Sequence, residues 1–174
     1  MPMRSSVTID RPLEDVFRFF LDLERNIPRT DPSVEHVIKT PPGPTEPATT
    51  FRLRQCSLGK TRETTTRFTA IERNRKLEFE GVIGPLRPEC ALAFEQTGTR
   101  TSVSLRGHSH PVGVLKPLSS LFDRKGQQIW RHRLERIKCL LETSGGESVR
   151  LSPGASGTPR ATAKLAGSAK APTD

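Results

Sequence analysis

The spacing of apolar residues changes twice along this chain, and the changes divide it into elements. Ser5 to Ile9 alternates polar and apolar positions and predicts a short first strand. Asp10 stands where a helix cap is expected, with Pro12 in the first turn and Glu14 and Asp15 near the positive end of the helix dipole. Val16, Phe17, Phe20 and Leu21 then fall at helical spacing, and Leu23 to Ile27 read as a second short helix that Pro28 stops. From Val34 to about Ser109 the period is 2. Turn-like pieces at Gly59-Lys60, Arg73-Asn74-Arg75, Gly84-Pro85 and Thr97-Gly98-Thr99 cut this stretch into six strands. Leu118 to Leu141 returns to helical spacing for more than five turns at ~3.6 residues per turn.

Strand alternation sorts the side chains onto two faces. Phe51, Leu53 and Gln55 share one parity with Thr66, Phe68 and Ala70, with Leu77, Phe79 and Gly81, with Cys90, Leu92 and Phe94, and with Val103 and Leu105. The other parity carries Arg52, Arg54, Arg67, Glu78, Glu80, Glu89, Glu95, Ser104 and Arg106. One greasy face and one wet face predict an antiparallel sheet covered on one side only. The last helix supplies the cover. Its stripe holds Leu121, Phe122, Ile129, Trp130, Leu134, Ile137, Leu140 and Leu141, with Arg124, Gln128, Arg131, Glu135 and Lys138 away from it. At ~100° per residue, Arg133 falls near the middle of that stripe between Ile129 and Ile137, and Gly126 lies two turns earlier on the same line.

Two segments lack any such pattern. Thr40 to Thr50 holds Pro41, Pro42, Pro44 and Pro47, which remove amide donors and predict a loop. Residues 144–174 are mostly Ser, Gly, Ala, Pro and Thr, so ordering them would cost backbone entropy with little burial in return. A single domain over 1–143 with a disordered basic tail is the expected organisation, and a chain of 174 residues that is 33% hydrophobic suits one core rather than two. The formal charge of +9 resides mainly in the domain, because the tail sets Arg150, Arg160, Lys164 and Lys170 against Glu147 and Asp174. Without a run of roughly 18 apolar residues or an apolar stretch in Met1 to Asp10, neither a membrane span nor export is expected, and the reading is cytoplasmic. Cys56, Cys90 and Cys139 are odd in number and form no C-x-x-C pair, so they read as free, semi-buried thiols.

A strand, two short helices, six antiparallel strands and a long terminal helix follow the order of the helix-grip fold, an α+β architecture. Residues 6–38, SVTIDRPLEDVFRFFLDLERNIPRTDPSVEHVI, together with the amphipathic last helix, resemble the START-like or SRPBCC superfamily. That superfamily includes the polyketide cyclase/dehydrase and lipid-transport group and the Bet v 1 type allergens. The resemblance spans residues 3–143. A lipocalin-like barrel would instead begin directly with a strand carrying Gly-x-Trp, whereas Trp130 lies in the last helix. The resemblance implies a seven-stranded curved sheet wrapped on the long helix and a ligand cavity between them. Parity then gives the expected lining as Phe51, Leu53, Gln55, Phe68, Phe79, Leu92, Phe94, Leu105, Trp130 and Leu134. Burying about 250 Å² of a guest at ~25 cal/mol/Å² contributes on the order of 6 kcal/mol before association costs, so polar anchors must set selectivity.

Arg133 is the first candidate anchor, for a carboxylate, enolate or phosphate of the ligand, with Gly126 leaving room for its body. The alternative is that Arg133 snorkels to the rim or pairs with an acid of the protein. His36 shares parity with Val34 and Ile38 and is the candidate acid or base of the cavity. His108 and His110 form an H-x-H pair on the wet parity without a nearby Cys or carboxylate to complete a metal site, and His132 lies off the stripe. Neither a metal nor a cofactor is expected, since no phosphate loop or nucleophile elbow occurs. Binding, carriage or sensing of a small hydrophobic or amphipathic ligand is the leading reading. Cyclase or dehydratase chemistry is the alternative, limited by a short inward polar set of His36, Gln55, Thr66, Gln96 and Arg133 and by the absence of tyrosine. A basic surface of Arg124, Lys125, Arg131, Arg133, Arg136 and Lys138 offers a third, to nucleic acid, ribosome or acidic headgroups, although no aromatics interleave for stacking. Monomer and homodimer both stay open.

Overall fold

The computed structural model describes residues 2–57 and 60–143. Strand β1 (Met3–Ile9) leads into helices α1 (Leu13–Leu21) and α2 (Leu23–Thr30). Strands β2 (Val34–Thr40), β3 (Thr50–Ser57), β4 (Lys60–Glu72), β5 (Lys76–Ile83), β6 (Leu86–Thr97) and β7 (Arg100–Pro111) follow. A 3-10 segment over Gly113–Leu118 then feeds helix α3 (Ser119–Thr143). The seven strands form one antiparallel sheet in the order β1-β7-β6-β5-β4-β3-β2. The curved sheet and the long helix make the helix-grip fold that the sequence predicts. Between β6 and β7, Gly98 at φ +61° turns the chain where a Cβ would be strained.

The core lies where the inner parity meets the helices. Phe51, Phe68, Leu77, Leu92, Val103 and Leu105 of the sheet are buried against Val16, Phe17 and Phe20 of α1 and Leu134 and Ile137 of α3. The rings of Phe17 and Phe20 meet Phe94 edge-on at 5.2 and 5.4 Å. Each fully buried side chain of this size contributes ~1.5–3 kcal/mol relative to exposure, which fixes α1 on one end of the sheet and leaves α2 to close the gap beneath α3.

Several local expectations are overturned. The cap residue of α1 is Pro12 rather than Asp10, whose amide donates to Glu142 Oε1 at 2.8 Å and so ties the start of the chain to the end of α3. Pro28 does not stop α2. The helix runs on to Thr30 although the proline gives up a donor and crowds the carbonyl four residues back, and the Thr30 hydroxyl lies within bonding distance of the Asn26 and Ile27 carbonyls at 3.2 and 3.0 Å. Two bulges reset parity. One between Val34 and His36 sets His36 opposite Arg54, and one between Phe68 and Ala70 sets Ala70 opposite Glu78, so Ile71 rather than Ala70 joins the apolar face. On α3, Leu121 and Ile129 are exposed, and Asp123 takes an inward place. Cys139 is exposed and Cys56 half-buried, while Cys90 is buried and its thiol is pushed up to about 12 by loss of solvent. The tail from residue 144, read as disordered, lies outside the described residues.

Candidate ligand cavity

Between α1, α2, the middle of the sheet and α3 there is a cavity of about 80 Å³. Leu53, Phe68, Phe79 and Leu92 supply its sheet wall, and Trp130, Arg133 and Ile137 its α3 wall. Edge-on contacts at 5.8 Å between Phe51 and Phe68 and at 6.2 Å between Phe68 and Phe79 continue to Trp130, whose ring lies 5.7 Å from Phe79. These rings fill much of the hollow between sheet and helix. Sites for drug-sized ligands enclose ~300–1,000 Å³, so this one suits a small molecule or one end of a larger one.

Of the residues the sequence singles out, Leu53, Thr66, Phe68, Phe79, Leu92, Trp130 and Arg133 come together on the cavity wall. The others do not. Phe51, Phe94, Leu105 and Leu134 share the inward parity and are buried in the core but lie outside the lining. Gln55 sits at the far end of β3, opposite Val34 and Arg62, outside the lining. His36 is exposed because of the β2 bulge, so the cavity gains no imidazole from it. Gly126 makes room for the protein rather than for a guest, since a Cβ there would stand 2.3 Å from Met3 Sδ. His108 and His110 stay on the wet face, but contrary to expectation each has a carboxylate beside it, Asp123 Oδ2 at 3.7 Å and Glu89 Oε2 at 3.8 Å, because α3 and β6 bring in acids distant in sequence.

The cavity also has residues that strand parity cannot find. Phe19, Phe20, Leu23, Asn26, Ile27 and Thr30 close it from α1 and α2. Phe20, Leu23, Ile27 and Thr30 recur three and four positions apart across both helices. Read across both helices, that stripe was the available signal, and stopping α2 at Pro28 left out its last member, Thr30.

Arg133 is the polar feature of this wall. Its Nη2 donates to Asp31 Oδ2 at 3.2 Å, and its guanidinium lies 5.2 Å over the Trp130 ring. Arg133 therefore pairs with an acid of the protein, the alternative to a free ligand anchor. The pair is only about a quarter exposed, with side-chain values of 26% and 24%. Asp31 also accepts from the Ser33 hydroxyl at 2.6 Å and amide at 3.1 Å. Burial alone would raise its carboxyl, but the Ser33 hydroxyl, the Arg133 charge and the Ser33 amide outweigh it and hold the group below the ordinary value. The hydrogen bond to Asp31 is the only one Arg133 makes among the described residues, so most of the five guanidinium N–H donors are unspent.

This architecture has recognisable kin. Residues 3–142 match the family model described as polyketide cyclase/dehydrase and lipid transport. The chain belongs to this polyketide cyclase/dehydrase and lipid-transport family. Solved structures at low sequence identity share its fold. Ara h 8.0201 superposes with a TM-score of 0.71 at 15% identity, covering 82% of this chain and 98% of that one. The Zhui aromatase/cyclase from Streptomyces sp. R1128 gives 0.68 at 12% identity, covering 83% and 95%. A START superfamily protein from Mycobacterium smegmatis gives 0.65 at 12% identity, covering 82% and 97%. No curated protein matches the sequence. Among the described residues of this family member, no helix is long and apolar enough to cross a membrane.

Proposed function

We propose that this protein binds a small amphipathic molecule, apolar at one end and bearing a neutral hydrogen-bond acceptor at the other, and carries or senses it rather than converting it. The observation that supports this reading is Arg133, held between Asp31 and the Trp130 ring on an otherwise apolar wall with donors to spare. Pairing with Asp31 cancels most of the arginine charge, so a ketone, ester or hydroxyl suits it better than a free carboxylate. A guest of phenyl size buries about 150 Å². At ~25 cal/mol/Å² that is on the order of 4 kcal/mol, or a Kd of about 1 mM before association costs. A hydrogen bond to a charged group adds roughly 1.5–3 kcal/mol, which brings the figure to about 10–100 µM, still before association costs.

Binding is favoured over turnover because, among the described residues of the cavity wall, Arg133 is the one titratable side chain, and the Thr66 hydroxyl is neither acid nor base near neutral pH. Asn26 Nδ2 donates to the Phe19 carbonyl at 2.9 Å, and Thr30 is held to its own helix. Acid–base conversion needs a donor and an acceptor poised near the operating pH, and arginine stays protonated. Native mass spectrometry of freshly purified protein, followed by solvent extraction, tests the reading. A low-mass neutral adduct that Arg133→Ala no longer retains is the expected result. Equal retention by Arg133→Ala and wild type would remove the anchor.

A further inference from the structure

Eight large apolar side chains stand exposed among the described residues, and six of them gather at one end of the molecule, away from the Arg133 wall. They are Val82, Ile83, Val112, Val114, Leu118 and Leu121, with Val114 93% exposed. The topology joins five of them in one surface, while Val82, the residue before Ile83 on β5, alternates to the other face beside Thr65 and Arg67. Ile83 pairs with Leu86 across the β5–β6 turn, Leu86 pairs with Pro111, and the Val112 amide donates to the Pro85 carbonyl at 2.9 Å. From Val112 the chain passes directly into the 3-10 segment and α3, where Val114, Leu118 and Leu121 recur four and three residues apart.

The charge along the segments that carry this patch has one sign, and the two carboxylates that border it, Glu80 and Glu89, are engaged by Arg67 and His110 at 3.6 and 3.8 Å. Residues 82–88 and 111–122 contain no carboxylate, only Arg87 and Lys116, and Arg124 and Lys125 follow on the first turns of α3. Asp123 is turned inward, where it accepts the Ser109 amide at 2.7 Å. Arg87 is held over the β5–β6 turn by the Gly84 and Leu86 carbonyls at 2.7 and 3.0 Å. None of these four cations enters an ion pair among the described residues. Solvent-exposed aliphatic groups inside an unneutralised basic rim match an anionic bilayer, which buries the aliphatics at the acyl boundary and places phosphates against the cations. Duplex nucleic acid would satisfy the cations but leave the aliphatics unused, and no exposed aromatic of this patch offers a stacking platform.

We infer that this end of the molecule, the β5–β6 turn with the 3-10 segment and first turns of α3, docks on the surface of an anionic phospholipid bilayer. The inference stands apart from the identity of any cavity guest. Sedimentation of the full chain with vesicles of equal parts phosphatidylglycerol and phosphatidylcholine, and with phosphatidylcholine alone, tests it. Binding is expected to the anionic vesicles only and to weaken as salt is raised. Arg124→Gln with Lys125→Gln should lower partitioning about 25-fold, at roughly fivefold for each charge. Val114→Asp should lower it about tenfold while the far-UV spectrum and Tm stay at wild type, since this side chain is 93% exposed. Absence of binding to anionic vesicles, binding that either variant leaves intact, or salt-dependent retention on duplex DNA without vesicle binding would overturn the assignment.

Discussion

Replacing Thr66 by leucine separates the cavity from the fold it sits in. Thr66 lies on β4 between Phe51 and Gly81 in register, and it lines the cavity. Thr66 is only partly buried, and none of the side-chain hydrogen bonds among the cavity's described residues runs to it, so no protein partner is orphaned by the change. Leucine adds about two methylene equivalents of apolar volume toward the 80 Å³ space. At ~0.8 kcal/mol each this gains about 1.6 kcal/mol, from which strand propensity for the β-branched residue takes back up to ~1 kcal/mol. The net is a protein about 0.5–1.5 kcal/mol more stable, a rise in Tm of ~2–4 °C per kcal/mol for a chain of this size. The same change fills the space a guest needs, so binding should weaken at least about tenfold. This is the stability–function opposition expected where a void is kept for use. Urea denaturation gives the first quantity, and the emission of Trp130, the chain's single tryptophan and a cavity-wall residue, reports the second. Destabilisation by more than ~1 kcal/mol would mean overpacking, and the cavity would then not exist as described.

Other consequences are independent of that one. Asp31→Asn should cost roughly 1–2 kcal/mol near neutral pH. Because the folded carboxyl sits below 3.8, that contribution is complete above this value and vanishes as pH falls through the lower folded value, so wild-type and variant stabilities should converge in acid. Gly107→Ala would set a Cβ 2.7 Å from the Glu89 backbone oxygen and 2.8 Å from Cys90 Sγ, and a loss of about 1–3 kcal/mol in urea denaturation is expected. Gly126→Ala collides only with Met3, so Met3→Ala should rescue it in a double-mutant cycle, whereas additive losses would contradict the contact. Thiol labelling of the folded protein at neutral pH should modify Cys139 and spare Cys90, whose thiol lies up at about 12.

The sheet and the long helix were legible because period 2 and period 3.6 each persist long enough to survive local exceptions. Where a single residue overrode the period, the reading slipped. One extra residue in β2 turned His36 out to solvent, and one in β4 exchanged Ala70 for Ile71. Parity identifies which residues point inward but not which of them are spent on packing, so Phe51 and Leu105 read the same as Phe68 and Leu92 until α1 and α3 are in place. The helical wheel placed Arg133 correctly on the covered side of α3. Its partner Asp31 lies 102 positions away in sequence, and no local pattern reveals such a pair.

The central claim is that the space beside Arg133 admits a guest through a neutral acceptor. Quenching of Trp130 by 4-bromoacetophenone and by 4-bromobenzoate tests it most directly, because bromine quenches the indole only near contact. The account predicts saturable one-site quenching by the ketone at tens to hundreds of micromolar, much weaker quenching by the carboxylate, and a reversed preference in Asp31→Asn, where the Arg133 charge is uncompensated. Linear, collisional quenching of equal strength by both compounds in wild type and variant would contradict it.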